Sequence, residues 1–339
     1  MSQYYYNPFG SNDVNEAMQM QMMKEKRVKE EKHEIRMISL CMSGAIMAFL
    51  IIQNIFAVVL YALGISDLAT SNSVFQYAFN VIAGSVCSVA LPFGIVALIN
   101  KRKYKHPVVP SKHIKPSKCA LWVGFGMICC IAANYAVSIL VLIGEMLGIK
   151  LTQGEMLEPD SVFSCIMFVV AVAVVPAICE EFAMRCCSLQ LLRNYGKGFA
   201  VFAVSIVFGI LHGNVIQFVF AFIIGLVLGF VTIKTDSIAP AILIHALNNG
   251  MSAVQSIVKY AAGEDVSDYT VIGLYIFWMI FGIISGICLL VKGEFKSKVK
   301  EGSQSVLTTR QKFNAFLFPW TIFPFFILLL LTAQYVEIG

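Results

Sequence analysis

Charge is what this chain has least of. Only 13% of its 339 residues are Asp, Glu, Lys or Arg, against 58% hydrophobic, and the mean hydropathy is +0.77. Ordinary soluble domains carry about 25% charged residues, so an ordinary soluble globule is excluded. No cleavable leader is expected either: the first 36 residues are polar, with no apolar stretch followed by a small-residue cleavage site, and the first span is expected to anchor the chain itself. Ten cysteines are present, but none forms C-x-x-C. Nearly all, including the pairs Cys129-Cys130 and Cys186-Cys187, lie in apolar runs and read as small packing residues. There is no H-E-x-x-H zinc helix, no G-x-S-G and no G-x-G-D, which speaks against the zinc, serine and aspartyl hydrolase classes that carry those signatures. No internal repeat of the kind that marks many transporters is visible.

What the chain does have is a succession of apolar runs of roughly 20 residues, the length a helix needs to cross a ~30 Å hydrocarbon core. Unbroken apolar runs favour helices over a barrel, and the fold class is all-α, a polytopic membrane helix bundle with a buried polar cavity. The segments 37–64, 74–100, 119–149, 162–192, 198–212, 214–234, 238–258, 269–292 and 313–334 give eight or nine transmembrane helices. The net charge of +5 follows from topology rather than from an anionic partner, and no nucleic acid is expected. Lys101, Arg102, Lys103, Lys105, Lys112, Lys115 and Lys118 crowd one loop; Lys292, Lys296, Lys298, Lys300, Arg310 and Lys312 crowd another. Both belong inside by the positive-inside rule, which puts the N-terminus in the cytoplasm. Four regions follow: a polar, partly helical tail (1–36), two spans with a basic loop (37–118), a core (119–292), and a second basic loop with a last span (293–339). Gly225 and Gly229 form G-x-x-x-G, a helix-packing signature.

Inside this apolar setting stand residues that lipid tolerates poorly. The fourth segment contains Pro176 followed by Glu180, Glu181 and Arg185. A charged residue near a helix centre costs roughly 2.5–3.5 kcal/mol on the insertion scale, so it normally faces a bundle interior or a watery cavity and marks function. Glu181 and Arg185 are one turn apart and can pair, which leaves Glu180 unexplained. Pro176 has no N–H for the carbonyl of Val172. The fifth segment ends Phe208-Gly209-Ile210-Leu211-His212, and the seventh carries His245 and Asn249 on one face. With a turn near Gly196, Glu181 lies fifteen residues before it and His212 sixteen after, at about the same depth. His245 is harder to place. It lies nine residues past Asp236, whereas His212 lies 24 before it, so the seventh helix must begin deeper, with Pro240 starting it inside a cavity.

The order Glu-Glu-x-x-x-Arg, Phe-x-x-x-His, His-x-x-x-Asn resembles the CPBP family, the type II CAAX prenyl proteases and their bacteriocin-processing or immunity relatives, also called Abi. The motifs fall on Glu180-Glu181-Arg185, Phe208-His212 and His245-Asn249, and the resemblance spans roughly 119–292. It implies an endopeptidase in which Glu180, assisted by His212, activates a water while His245 and Asn249 hold the oxyanion, with Glu181 and Arg185 in support. No cofactor is expected on this reading. A zinc alternative held by Glu180, His212 and His245 is chemically reasonable. The expected partners are a peptide or membrane-protein substrate and the lipid bilayer, and the expected location is a bacterial plasma membrane. Two other functions use the same residues: a catalytically idle scaffold or immunity factor, and an ion-coupled transporter with a Glu/His relay.

Overall fold

The computed structural model describes residues 11–152, 154, 156–296, 305–318, 326–327 and 335–338. Its long elements are helices. α1 runs Ser11–Ala62, α2 Ser73–Ile99, α3 Pro116–Met146, α4 Val162–Tyr195, α5 Lys197–Ile210, α6 Val215–Thr235, α7 Ala239–Ala262, α8 Glu264–Val291 and α9 Thr309–Phe316. The strands β1 (Ile149–Leu151) and β2 (Val336–Ile338) form a small antiparallel pair. The protein is an all-α membrane bundle.

The expected eight or nine spans become six among the described residues. α1, α2, α3, α4, α6 and α8 are long and apolar enough to cross a membrane. α5 has 14 residues, about 21 Å of rise, and falls short of the core thickness. α7 has 24 residues, but His245, Asn248, Asn249, Ser252 and Gln255 lower its apolarity. The proposed last span, 313–334, lies largely outside the described residues.

The polar tail and the first span are one helix. Its buried stripe, Ile35, Ile38, Met42, Ala45 and Ile46, follows the three-to-four-residue period of a helix face and joins a core shared with α2, α4 and α5. The polar half is not simply solvated: Glu31 accepts from Ser305 and Val306 near α9, and Glu34 accepts from Tyr195 at the end of α4. A second core packs Trp122, Met127, Leu228 and Ile244 from α3, α6 and α7. On α8, Ile276, Phe277, Ile280, Ile283, Ile284 and Ile287 stand about half exposed, the pattern of a helix whose other solvent is lipid.

Close helix approach depends on glycine. A β-carbon on Gly225 would sit 3.0 Å from Ser205 Oγ and 3.1 Å from Ser205 Cα, and one on Gly229 would sit 3.0 Å from Val201 Cγ1. The G-x-x-x-G pattern therefore lets α6 lie on α5. Gly225→Val should lower stability by about 1–3 kcal/mol, since overpacking a tight contact displaces backbone; thermal unfolding in detergent measures it.

Two turns set the depth of the bundle. α5 begins after Gly196 (φ 132°), and α6 ends on Asp236 in the left-handed region (φ 53°). Arg193 Nη1 donates to Asp236 Oδ1 at 2.9 Å, which ties the α4–α5 turn to the α6–α7 turn. The basic loop before α3 is laced to the second turn: Lys112 N–H donates to the carbonyl of Asp236 (3.0 Å) and Ile238 N–H to that of Pro110 (2.8 Å).

Candidate active site

α4 widens twice into π-helical turns, at Val170–Val174 and Phe182–Ser188. Such wide turns are frequent at functional sites. In the second, Ser188 Oγ donates to the carbonyl of Ala183 and Gln190 Nε2 to that of Arg185. Side chains thereby occupy carbonyls that the altered ladder would leave weakly bonded. The first surrounds the gap made by Pro176. Asn249 Nδ2, on α7, donates to the carbonyl of Val172 at 3.1 Å, filling the position that the missing proline N–H leaves open.

Glu181 and Arg185 are both completely buried, and Arg185 Nε donates to Glu181 Oε2 at 2.7 Å. The other oxygen, Oε1, meets His245 Nδ1 at 3.1 Å. A carboxylate accepts, so His245 carries its proton on Nδ1 in this contact. Both Glu181 oxygens are thus occupied. Glu181 orients the ring of His245.

That ring points its other nitrogen, Nε2, towards Glu180, 3.8 Å from Oε2. Glu180 is partly buried, and its Oε2 has no hydrogen-bond partner among the described residues. A buried carboxylate oxygen left in this state has a strong preference for a water or a substrate donor. The His245 depth problem is resolved by the Arg193–Asp236 tie. Glu181 lies twelve residues before Arg193 and His245 nine after Asp236, so the two approach one level from a common floor. α7 does begin at Ala239 with Pro240 in its first turn.

His212 follows the end of α5, and its Nδ1 lies 2.8 Å from the carbonyl of Phe208. A carbonyl can only accept, so Nδ1 bears the hydrogen and Nε2 of the neutral ring is left as an acceptor. Phe208 holds several parts together: its ring lies 5.0 Å from that of His212 and 5.9 Å from that of His245, with the Arg185 guanidinium 5.4 Å from its centre. Cation–π and edge-to-face contacts of this kind fix ring orientation.

Glu180, His212, His245 and Asn249 all line one cavity of about 250 Å³. A larger one, of about 530 Å³, shares Glu180, His212 and Asn249 and is walled by Phe49 and Leu50 of α1 and by Asn80 and Ser85 of α2. The first two spans, uninformative in the sequence, thus build one side of the site. Sequence reasoning also missed Gln217, which lines both cavities; its signal was a lone amide in the first turn of an otherwise apolar α6. Asn248 Nδ2 donates to Asn249 Oδ1 at 3.2 Å, leaving Asn249 one N–H beyond the bond to Val172. Asn249→Leu should therefore destabilise the fold by about 1–3 kcal/mol by orphaning that carbonyl, besides any effect on turnover. Parallel melting and rate measurements would separate the two.

For zinc, the required donors are Glu180, His212 and His245. Among the described residues no group of three or more His, Cys, Asp or Glu is placed to hold a metal ion.

No curated protein and no solved structure matches the chain. Residues 162–251 match the family model described as type II CAAX prenyl endopeptidase Rce1-like, a narrower stretch than 119–292 but one that contains all six site residues. Apolar spanning helices around a polar cluster, with this match laid over it, identify an integral membrane protein whose residues 162–251 are similar to the CAAX protease (CPBP) family.

Proposed function

We propose that this protein is an intramembrane endopeptidase in which Glu180, His212, His245 and Asn249 are catalytic and Glu181 and Arg185 position them. One observation carries the reading. Glu180, His212 and His245 come from separate parts of the chain to one cavity among apolar helices, and Glu180 Oε2 there has no hydrogen-bond partner among the described residues.

The chemistry follows from the donors and acceptors. A water between Glu180 and the acceptor Nε2 of His212 loses a proton to Glu180 as its oxygen attacks the scissile carbonyl carbon. The carbonyl π bond opens to an oxyanion, which accepts from the remaining N–H of Asn249 and from Nε2–H of a doubly protonated His245 held by Glu181. Preorganised donors in a site screened from water are most effective at that moment. Glu180 then passes its proton to the leaving nitrogen, the C–N bond breaks, and the carboxylate is restored.

The proposed reaction uses no catalytic metal. Cleavage should survive exhaustive chelation in protein that elemental analysis shows to be metal-free; loss of activity with zinc-specific rescue would overturn this. The proposed substrate is a peptide precursor or a membrane protein, and the proposed setting is a bacterial plasma membrane with the N-terminus in the cytoplasm. The function is tested by comparing membrane peptides, by mass spectrometry, from cells carrying the intact chain and Glu180→Ala. Peptides that depend on Glu180 are expected, and their complete absence would end the protease reading. A scaffold would keep its phenotype in Glu180→Ala, and a transporter would show ion-dependent flux in liposomes.

A further inference from the structure

Away from the polar cluster, a cavity of about 740 Å³ opens where the basic loop before α3 meets the start of α5, the end of α6 and the segment after α8. Its size falls within the roughly 300–1,000 Å³ of small-molecule sites. Six lysines line it, Lys112, Lys115, Lys118, Lys197, Lys234 and Lys296, against one acid, Glu294. Only part of that charge is matched by Glu294, which pairs with Lys118 at 2.6 Å, while Lys234 donates to the carbonyls of Phe295 and Lys296. Lys112, Lys115 and Lys296 stand exposed at the rim.

Two features set this apart from a diffuse basic surface. First, the loop is held in place: Lys112 N–H donates to the carbonyl of Asp236, Ile238 N–H to that of Pro110, and Ser111 bridges Ser237. The lysines are therefore carried on fixed backbone, so little ordering entropy opposes binding. Second, apart from His113 and Thr235 the rest of the lining is apolar, with Val201, Phe202, Leu226, Phe230 and Ile233, and Phe202 is 41% exposed on a membrane-embedded hairpin. A cationic rim above an apolar wall matches an amphiphile with an anionic head.

We propose that this cavity binds one anionic phospholipid, its phosphate among the lysines and an acyl chain along Phe202 and Leu226. A free phosphate shares the head chemistry but has no use for the wall, and the arms of the test divide the two. The full-length protein in detergent is examined by native mass spectrometry with phosphatidylglycerol, with phosphatidylcholine, and with inorganic phosphate as competitor. Phosphatidylglycerol should be retained in preference to phosphatidylcholine. Lys112→Gln/Lys115→Gln should weaken retention roughly 30-fold, from the attraction each lysine contributes near an anionic surface. Lys101→Gln/Lys103→Gln, in the same loop but outside the cavity, should leave it unchanged. Leu226→Ser should weaken lipid retention without changing phosphate competition. Lys296→Gln, on the opposite rim, supplies a second reading if the double variant melts early. Equal retention of the two lipids, equal loss for both lysine pairs, or displacement by inorganic phosphate together with an inert Leu226→Ser would each overturn the proposal.

Discussion

Replacing Glu180 by glutamine should lower peptide hydrolysis roughly 10²–10⁴-fold, the range that general acid–base catalysis supplies. The amide keeps the shape of the side chain and removes only its capacity to take a proton. Stability should hold, because Oε2 has no hydrogen-bond partner among the described residues that the substitution could break. Neutralising a partly buried carboxylate also relieves a desolvation cost. Glu180→Asp, which retains the acid but withdraws it from the cavity, should recover part of the rate. Initial rates on a cleaved peptide, with melting midpoints for each variant, give the comparison. Near-normal hydrolysis by Glu180→Gln would remove this residue from the reaction.

Arg185→Leu should be the most destabilising single change, by about 3–5 kcal/mol, because it leaves the fully buried Glu181 carboxylate without its cation. The prediction has a second arm. Removing both charges, Glu181→Leu/Arg185→Leu, should recover much of that stability, since apolar replacements of a buried pair are often neutral or favourable. Turnover should stay lost in the double variant, because Nδ1 of His245 no longer has the Oε1 it meets at 3.1 Å. Stability regained with activity absent would mark the pair as positioning the ring. Activity regained with stability would mean that His245 does not need Glu181.

The membrane class was legible because apolar run length is a one-dimensional property, and lipid imposes it strongly. The six candidate residues could be picked out because ionisable groups, and an amide one turn from a histidine, stand out against such a background. The span count was not legible. α5 and α7 are apolar enough to look like spans in a hydropathy profile, but one is nearly two turns too short and the other carries a polar face towards the bundle. His245 was hard to place in depth for a similar reason: hairpin arithmetic assumes that neighbouring turns are independent, and the Arg193–Asp236 bond joins two of them. The proline gap at Val172 could be read from sequence, but not the residue that fills it, because Asn249 is 77 positions away. Likewise nothing in α1 or α2 announces a cavity wall, since Phe49 and Leu50 are ordinary apolar residues until the fold turns them towards Glu180.

The bond from Asn249 to Val172 has a mechanical corollary. Together with Glu181–His245 it rivets α4 to α7 at two heights, so prising those helices apart would break both polar links at once in a medium that offers no replacement donors. Phe49 and Leu50 meet the cavity from α1 through apolar surface, and the hydrogen bonds of that helix to other elements, at Glu31, Glu34 and Ser39, lie ten residues or more away, so this stretch can shift while they hold. Entry to the site is therefore cheapest by displacement on the α1 side, with α4 and α7 acting as the stationary jaw. A disulfide or crosslink between α4 and α7 should be tolerated during turnover, and one that fastens α1 to the cavity rim should not.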